Sequence, residues 1–431
     1  MEQGKKKYKG WNVRILSNNW IKLFIVPQLG GRIIQIDMKG YEFLFNNPLL
    51  LGMEPDETRL GKNGTWLNFG GEKIWPAPQG WDSSQKWPGP PDPILDSGIY
   101  SADNIFTSEN GKRLTVSSPF DKRTGLQITK EVFMPNNRSV VKVIAAFLNR
   151  NSEIKKWSVW PVLQMNTQGD DIYERYRIIC PINSASKFEK GFKVMHGLVN
   201  NPQNSIDIYG NLIVNYKYLV GKVGLDTKSG WMAFLDLQSG KIFILSFDYQ
   251  ENEFYPENTS AQIWTQGRGI IYSRNRVLEF KNDKRLNPPY IEMEILSPLQ
   301  EIKPAESIHF KYRMFCSTIP PDTETVKDIS ELGIIAQPLS MKTKGDNIFI
   351  EAKYGVFNEG TIKIMARHVS QAENGEILFE KKVSPLLGIN VKLNYKNKLV
   401  FNNKYCLSTV IFDESGYYLG ELELMKLHDK I

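Results

Sequence analysis

Glu292 and Glu294 stand two residues apart in the stretch PPYIEMEIL. On a strand both carboxylates would share one face, about 7 Å apart from the period-two rise. A carboxylate pair suits hydrolysis of a glycosidic bond when the two groups flank that bond. The same pair would also serve as a solvated face paired with nearby Lys and Arg. Two further stretches mix rings with polar groups on one face. KKWSVWPVLQMNTQ presents Trp160, Gln164, Asn166 and Gln168 opposite Trp157, Val159, Leu163 and Met165, and AQIWTQG presents Gln262, Trp264 and Gln266 together. Pyranoses stack an apolar face on aromatic rings and offer hydroxyls to amides and carboxylates. A concave sheet built from these faces would suit a polar ligand with apolar patches, and the same groups could equally face water singly.

A second source of rings lies between Trp66 and Tyr100, which carries Trp66, Trp75, Trp81 and Trp87 among prolines 76, 78, 88, 90, 91 and 93. Proline fixes φ and removes a backbone donor, so this density predicts a stiff irregular segment with no central strand in it. Long irregular segments in compact domains are usually functional, and the expectation is an aromatic wall beside a groove. Lys222 and Asp226, in a turn-rich stretch, could also reach such a groove.

Composition narrows the alternatives. Lys and Arg exceed Asp and Glu by 54 to 47, but the basic residues are spread along the chain and only Lys5–Lys7 forms a run. No basic helix or basic–aromatic module appears, which argues against nucleic acid as a partner. No apolar run is long enough to cross a membrane as a helix. The N-terminus lacks the apolar core of a secretory signal, so the expected location is cytoplasmic, or periplasmic or secreted if a leader has been removed. Cys180, Cys316 and Cys406 are too few and too scattered for a disulfide framework or a metal spacing. Neither a metal nor a cofactor is expected, since no phosphate loop, dinucleotide fingerprint or zinc motif occurs. Oligomeric state is left open.

The elements that must position these residues read as strands. Residues 11–48 and 99–150 alternate in short runs broken by pairs such as Gly30-Gly31 and Lys39-Gly40. No convincing amphipathic helix occurs before Pro320, so the fold class is all-β. PPDTETVKDISELG reads as a short helix that Gly333 stops, inside a linker over 319–344. Residues 345–431 form a second block of alternating strands, expected as an immunoglobulin-like sandwich with a structural or docking role.

Three segments, IVPQLGGRIIQIDMKGYEFLF, WLNFGGEKIWPAPQGW with its following WPGPPDP, and YIEMEILSPLQEIKPAESIHFKYRMF, resemble the galactose-mutarotase-like supersandwich superfamily. The likeness is to a bacterial branch catalogued as a domain of unknown function and covers roughly residues 10–318, taken as a first domain over 1–318. The resemblance implies a carbohydrate site on the concave sheet. Aldose 1-epimerases use a glutamate on a late strand as general base and histidines as acid and ligand. Glu292 matches that glutamate best, with Glu294 beside it. The histidines are the departure: of His196, His309, His368 and His428, only His196 could reach the groove. Where the epimerases place a histidine, GGEKIW offers Glu72 and Lys73. Opening a sugar ring needs a base for the anomeric hydroxyl and an acid for the ring oxygen. Glu292 would be the base and Lys73 or His196 the acid, with Trp75, Trp81, Trp87, Trp160, Gln164, Gln262, Trp264 and Glu294 contacting the substrate. Anomeric isomerisation is the leading expectation, a non-catalytic sugar- or glycan-binding protein the alternative, and a lyase or hydrolase on the same scaffold the third.

Overall fold

The structure, a computed structural model, describes residues 6–168, 175–273, 275–344, 347–368, 375–396 and 405–427. Among these, regular structure is strand, interrupted by three single-turn 3-10 segments. The all-β expectation holds. The chain forms two units, one of Met1–Asn136, Val141–Phe234 and Ile244–Met314, the other of Asn137–Val140, Leu235–Phe243 and Phe315–Ile431.

The first unit is built on two large sheets. The sheet that matters for function runs in the order Lys6–Tyr8, Trp11–Ser17, Ile21–Val26, Arg32–Met38, Glu72–Ala77, Lys155–Asn166, Tyr290–Ile295, Ala261–Thr265, Gly221–Leu225, Lys193–Gly197. Strands from four separate parts of the chain thus meet at its centre. Its inner face carries Leu163, Ile263, Ile291 and Met293, all fully buried. The other sheet includes Leu126–Pro135, Gly111–Ser117 and the first-unit part of Ser307–Thr318. The two sheets are tied across the core by Glu72, whose carboxylate receives Lys130 Nζ at 2.5 Å and Tyr312 Oη at 2.6 Å.

Proline 76 corrects the sequence reading of the tryptophan-rich stretch. It lies inside Glu72–Ala77, a central strand in which every residue is buried. The strand tolerates it because the neighbour on one side, Arg32–Met38, pairs only at Ile33–Glu72, so no ladder donor is required there. The strand starts where it does because of Gly70 and Gly71, both at positive φ. A Cβ on Gly70 would stand 2.0 Å from the Phe45 carbonyl oxygen, and one on Gly71 2.6 Å from that of Ile33. Only glycine fits either place.

The second unit contains two four-stranded sheets, Asp328–Ile329, Gly333–Lys344, Asn347–Val356 and Ile389–Lys396 against Gly375–Val383, Gly360–His368, Tyr405–Asp413 and Tyr418–Lys426. Ile348, Ile350 and Tyr354 from one sheet and Ile362, Ile364, Leu407 and Ile411 from the other form its core. The helix expected after Pro320 is absent. Asp328–Ile329 instead pairs with Ile334 and Ile335, and the supposed linker continues as the strand Gly333–Lys344. Its Pro338 hid the strand from a pattern reading. The register shifts between Gln337 and Ser340, and proline is tolerated at such a bulge.

Candidate functional site

The register of the first sheet decides which side chains share its outer face, because residues directly opposite in a ladder point the same way. Lys73 lies opposite Val162, Val162 opposite Glu294, Glu294 opposite Gln262, and Gln262 opposite Gly224. One step along, Gln164, Glu292, Trp264, Lys222 and His196 make a second row. Trp75 and Trp160 pair directly and start a third. Glu72, neighbour to Lys73, faces the core.

At the centre of this face lie two carboxylates and two ammonium groups. Glu292 accepts a hydrogen bond from Gln164 Nε2 at 2.7 Å and stands 3.6 Å from Lys73 Nζ. Glu294 accepts from Trp160 Nε1 at 2.9 Å and from Lys222 Nζ at 2.8 Å. The ammonium groups also meet rings. Lys73 Nζ is 4.7 Å from the centre of Trp75 and 5.4 Å from that of Trp66, and Lys222 Nζ lies 4.9 Å from that of Trp160. Burial drives Lys73 down to about 8, against the opposing pull of Glu292. Burial also raises the Glu292 carboxyl above its ordinary range, with Lys73 pulling it back and Glu294 adding to the rise. Both members of the pair are thus displaced toward their neutral forms.

Three polar atoms here have no hydrogen-bond partner although they are buried: Lys73 Nζ, Gln164 Oε1 and Glu294 Oε1. Buried polar atoms are nearly always satisfied, and leaving one orphaned costs about 1–3 kcal/mol. One unmatched donor and two unmatched acceptors on one face match the complementary groups of a polyhydroxyl ligand. The cluster is largely buried. Lys73 is 2 % exposed at its side chain, Glu292 10 % and Lys222 11 %, while Trp66 and Trp264 are half-buried. A recess of about 290 Å³, lined by Tyr41, Glu42, Asn166, Gln168 and Arg175 among others, lies off this cluster and contains neither lysine nor the two glutamates of the site. Among the described residues, no group of three or more His, Cys, Asp or Glu side chains is arranged to hold a metal ion.

The profile of a domain of unknown function, DUF4380, matches residues 13–314, the span that carries both large sheets. The chain belongs to the DUF4380 family. No curated protein matches it. Solved structures similar to it include a galactose mutarotase-like protein from Lactobacillus casei, at 12 % identity over 70 % of this chain and 99 % of that one, with a TM-score of 0.45. A galactose mutarotase related enzyme from Lactobacillus acidophilus is similar at 11 % identity over 71 % of this chain and 97 % of that one, with a TM-score of 0.43. The sequence resemblance to a branch catalogued as a domain of unknown function is borne out by this family match over residues 13–314.

In this DUF4380 protein the structure brings Glu292, Glu294, Lys73, Gln164, Trp75 and Trp160 into one cluster. Other expected site residues share the face without joining the cluster, or lie off it. His196 shares the face but is three strands from Glu292, about 14 Å at the usual strand spacing. It packs edge-on against Trp264, with ring centroids 6.1 Å apart, and burial followed by Lys222 holds its imidazole below the ordinary value. Gln262 is turned to Thr259, donating at 2.8 Å, and Trp264 donates to Gln266 at 3.0 Å. Trp81 is 47 % exposed on the loop, whereas Trp87 is fully buried behind Trp75, with centroids 5.2 Å apart. Neither forms the wall that the sequence suggested. The ring that does stand over Lys73, besides Trp75, is Trp66. Asp226 is spent on the 183–188 loop, accepting from Ser186 Oγ and the Lys187 N–H. His309 lies in the other sheet, His368 in the second unit, and His428 outside the described residues. Cys180, Cys316 and Cys406 are buried free thiols.

Sequence reasoning missed Asp96 and Arg32. Asp96 accepts Trp66 Nε1 at 2.8 Å and Trp75 Nε1 at 3.1 Å, and is paired with Arg32 at 3.1 Å. Nothing in LDSG marks that aspartate, since its partners are 21 to 64 residues away.

Proposed function

We propose that this face binds the anomeric end of a sugar and interconverts its anomers. Glu292 takes the proton of the anomeric hydroxyl while Lys73 gives one to the ring oxygen. The bond between the anomeric carbon and the ring oxygen breaks, leaving an open-chain aldehyde with a free hydroxyl. Closure on the opposite face of the carbonyl returns both protons. The two oxygens are bonded to one carbon, so the acid and base that serve them must stand side by side.

The observation that carries this reading is the buried Lys73 ammonium, without a hydrogen bond, 3.6 Å from the Glu292 carboxylate. Hydrolysis needs two carboxylates on either side of a bond. Here the two lie along one strand, each with its own lysine, and Glu294 is neutralised by Lys222. Trp75 and Trp66 supply apolar edges, and Gln164 Oε1 and Glu294 Oε1 remain as acceptors for sugar hydroxyls.

Magnetisation-exchange NMR on a panel of aldoses tests the proposal. The expected result is faster α–β exchange for at least one sugar, lost in Glu292→Gln and in Lys73→Met. The rate should rise as Glu292 loses its proton, above the ordinary carboxylate range, and fall as Lys73 loses its own near pH 8. The limbs belong to the coupled pair. Saturable binding with no exchange above background would make the protein a sugar binder instead.

A further inference from the structure

Resting on that reading, we infer that Asp96 is the positioning residue of the site: one buried carboxylate holds the two indole rings over which the Lys73 ammonium sits. Asp96 and Arg32 are 1 % and 0 % exposed. Each carboxylate oxygen takes one indole, Oδ2 from Trp66 and Oδ1 from Trp75. Trp66 comes from the segment before Gly70, Trp75 from the central strand, and Asp96 from the end of the proline-rich loop, so the carboxylate joins three segments with no regular pairing among them. Arg32 locks the carboxylate in turn. It donates to the Asp96 side chain and backbone carbonyl, to the Gly70 carbonyl at 2.9 Å and to the Leu29 carbonyl at 2.7 Å.

A carboxylate fixes each ring through its edge N–H, which leaves the ring faces turned elsewhere. Those faces lie within 5.4 Å of the Lys73 ammonium, the range in which a cation gains from the ring quadrupole. Lys73 has no hydrogen-bond partner, so burial sets how readily it gives up its proton, and the neighbouring charges and ring faces adjust that. Those charges are Glu292, Asp96 and Glu294, which favour the protonated form, and Arg32, which opposes it. Asp96 thus acts on Lys73 both through the rings and through its own charge, with no contact to substrate.

The test follows the indole N–H resonances of the full chain through a pH titration by ¹⁵N–¹H NMR, assigned with Trp66→Phe and Trp75→Phe. In the native protein both resonances should lie downfield and share an inflection near pH 8, which Lys73→Met abolishes. Asp96→Asn keeps an acceptor but removes the charge, and should move the inflection to lower pH by about half a unit. The alkaline limb of any exchange profile should move with it. If Asp96→Asn does not fold, the single Trp→Phe variants carry the test, since each removes one donor and leaves Asp96–Arg32 in place. Loss of either donor should then move the inflection in the remaining resonance. An inflection unmoved in every folded variant would overturn the inference. A moved inflection with no sugar exchanged would uphold the positioning role and sink the proposed activity instead.

Discussion

Glu72 and Lys73 are neighbours on one strand, and both are buried charges, yet they do opposite things. Glu72 faces the core between the sheets and is fully answered: Lys130 and Tyr312 reach it, and the Ile33 N–H adds a longer contact at 3.4 Å. Lys73 faces outward and is answered only in part, by a carboxylate 3.6 Å away and by ring faces. A buried charge whose hydrogen bonds are complete is a tie that holds sheets together. One whose hydrogen bonds are missing costs stability, and on the proposed reading it is held for a ligand.

The contrast can be broken by substitution. Lys130→Met removes the main partner of Glu72 and leaves a buried carboxylate with little compensation. Chemical denaturation should show a loss of about 3–5 kcal/mol. A loss below about 1 kcal/mol would remove the distinction between the two faces. Lys73→Met should do the reverse, abolishing sugar exchange by about 10²-fold or more while leaving the denaturation midpoint unchanged or slightly raised. Its pH dependence sharpens the point. Lys73 is held near 8 against an ordinary 10.5, so the unfolded chain binds more protons between those values and stability should rise with pH across that window. Glu292, held above its ordinary range, acts with the opposite sign at lower pH, and the difference between native protein and Lys73→Met isolates the lysine.

Smaller effects belong to the rings. Trp160→Phe keeps a ring beside Lys222 but removes the donor to Glu294, and isothermal titration should show sugar binding weakened by about 1 kcal/mol, roughly fivefold. Trp81→Ala, on the exposed part of the loop, should change binding by less than about twofold. An effect of Trp81→Ala as large as that of Trp160→Phe would restore the loop as part of the wall.

Much of the fold was legible because alternation is a local property. Once KKWSVWPVLQMN and PPYIEMEIL read as strands, period two put Trp160 with Gln164 and Glu292 with Glu294, and the ladder agrees. Glycine and proline were read less well, because their meaning depends on what lies beside them. Pro76 faces Val159 on one side but has no ladder partner on the Arg32–Met38 side, and Pro338 sits where the register shifts. The tryptophans mattered less by their number than by their neighbours. Trp87 donates to Asp92 at 2.8 Å inside the loop, whereas Trp66 and Trp75 reach Asp96.

Sequence by itself determined the all-β class, the side of most strands that would be apolar, and the residue types available to the site. All of these follow from the chirality and spacing of neighbouring residues. Only the tertiary structure decided that Lys73 faces Glu292 while Glu72 faces Lys130, that His196 lies three strands off, and that Asp96 governs two distant rings. Strand order and register set those relations, and both arise from pairing between segments as far apart as residues 73 and 292, which no local pattern records.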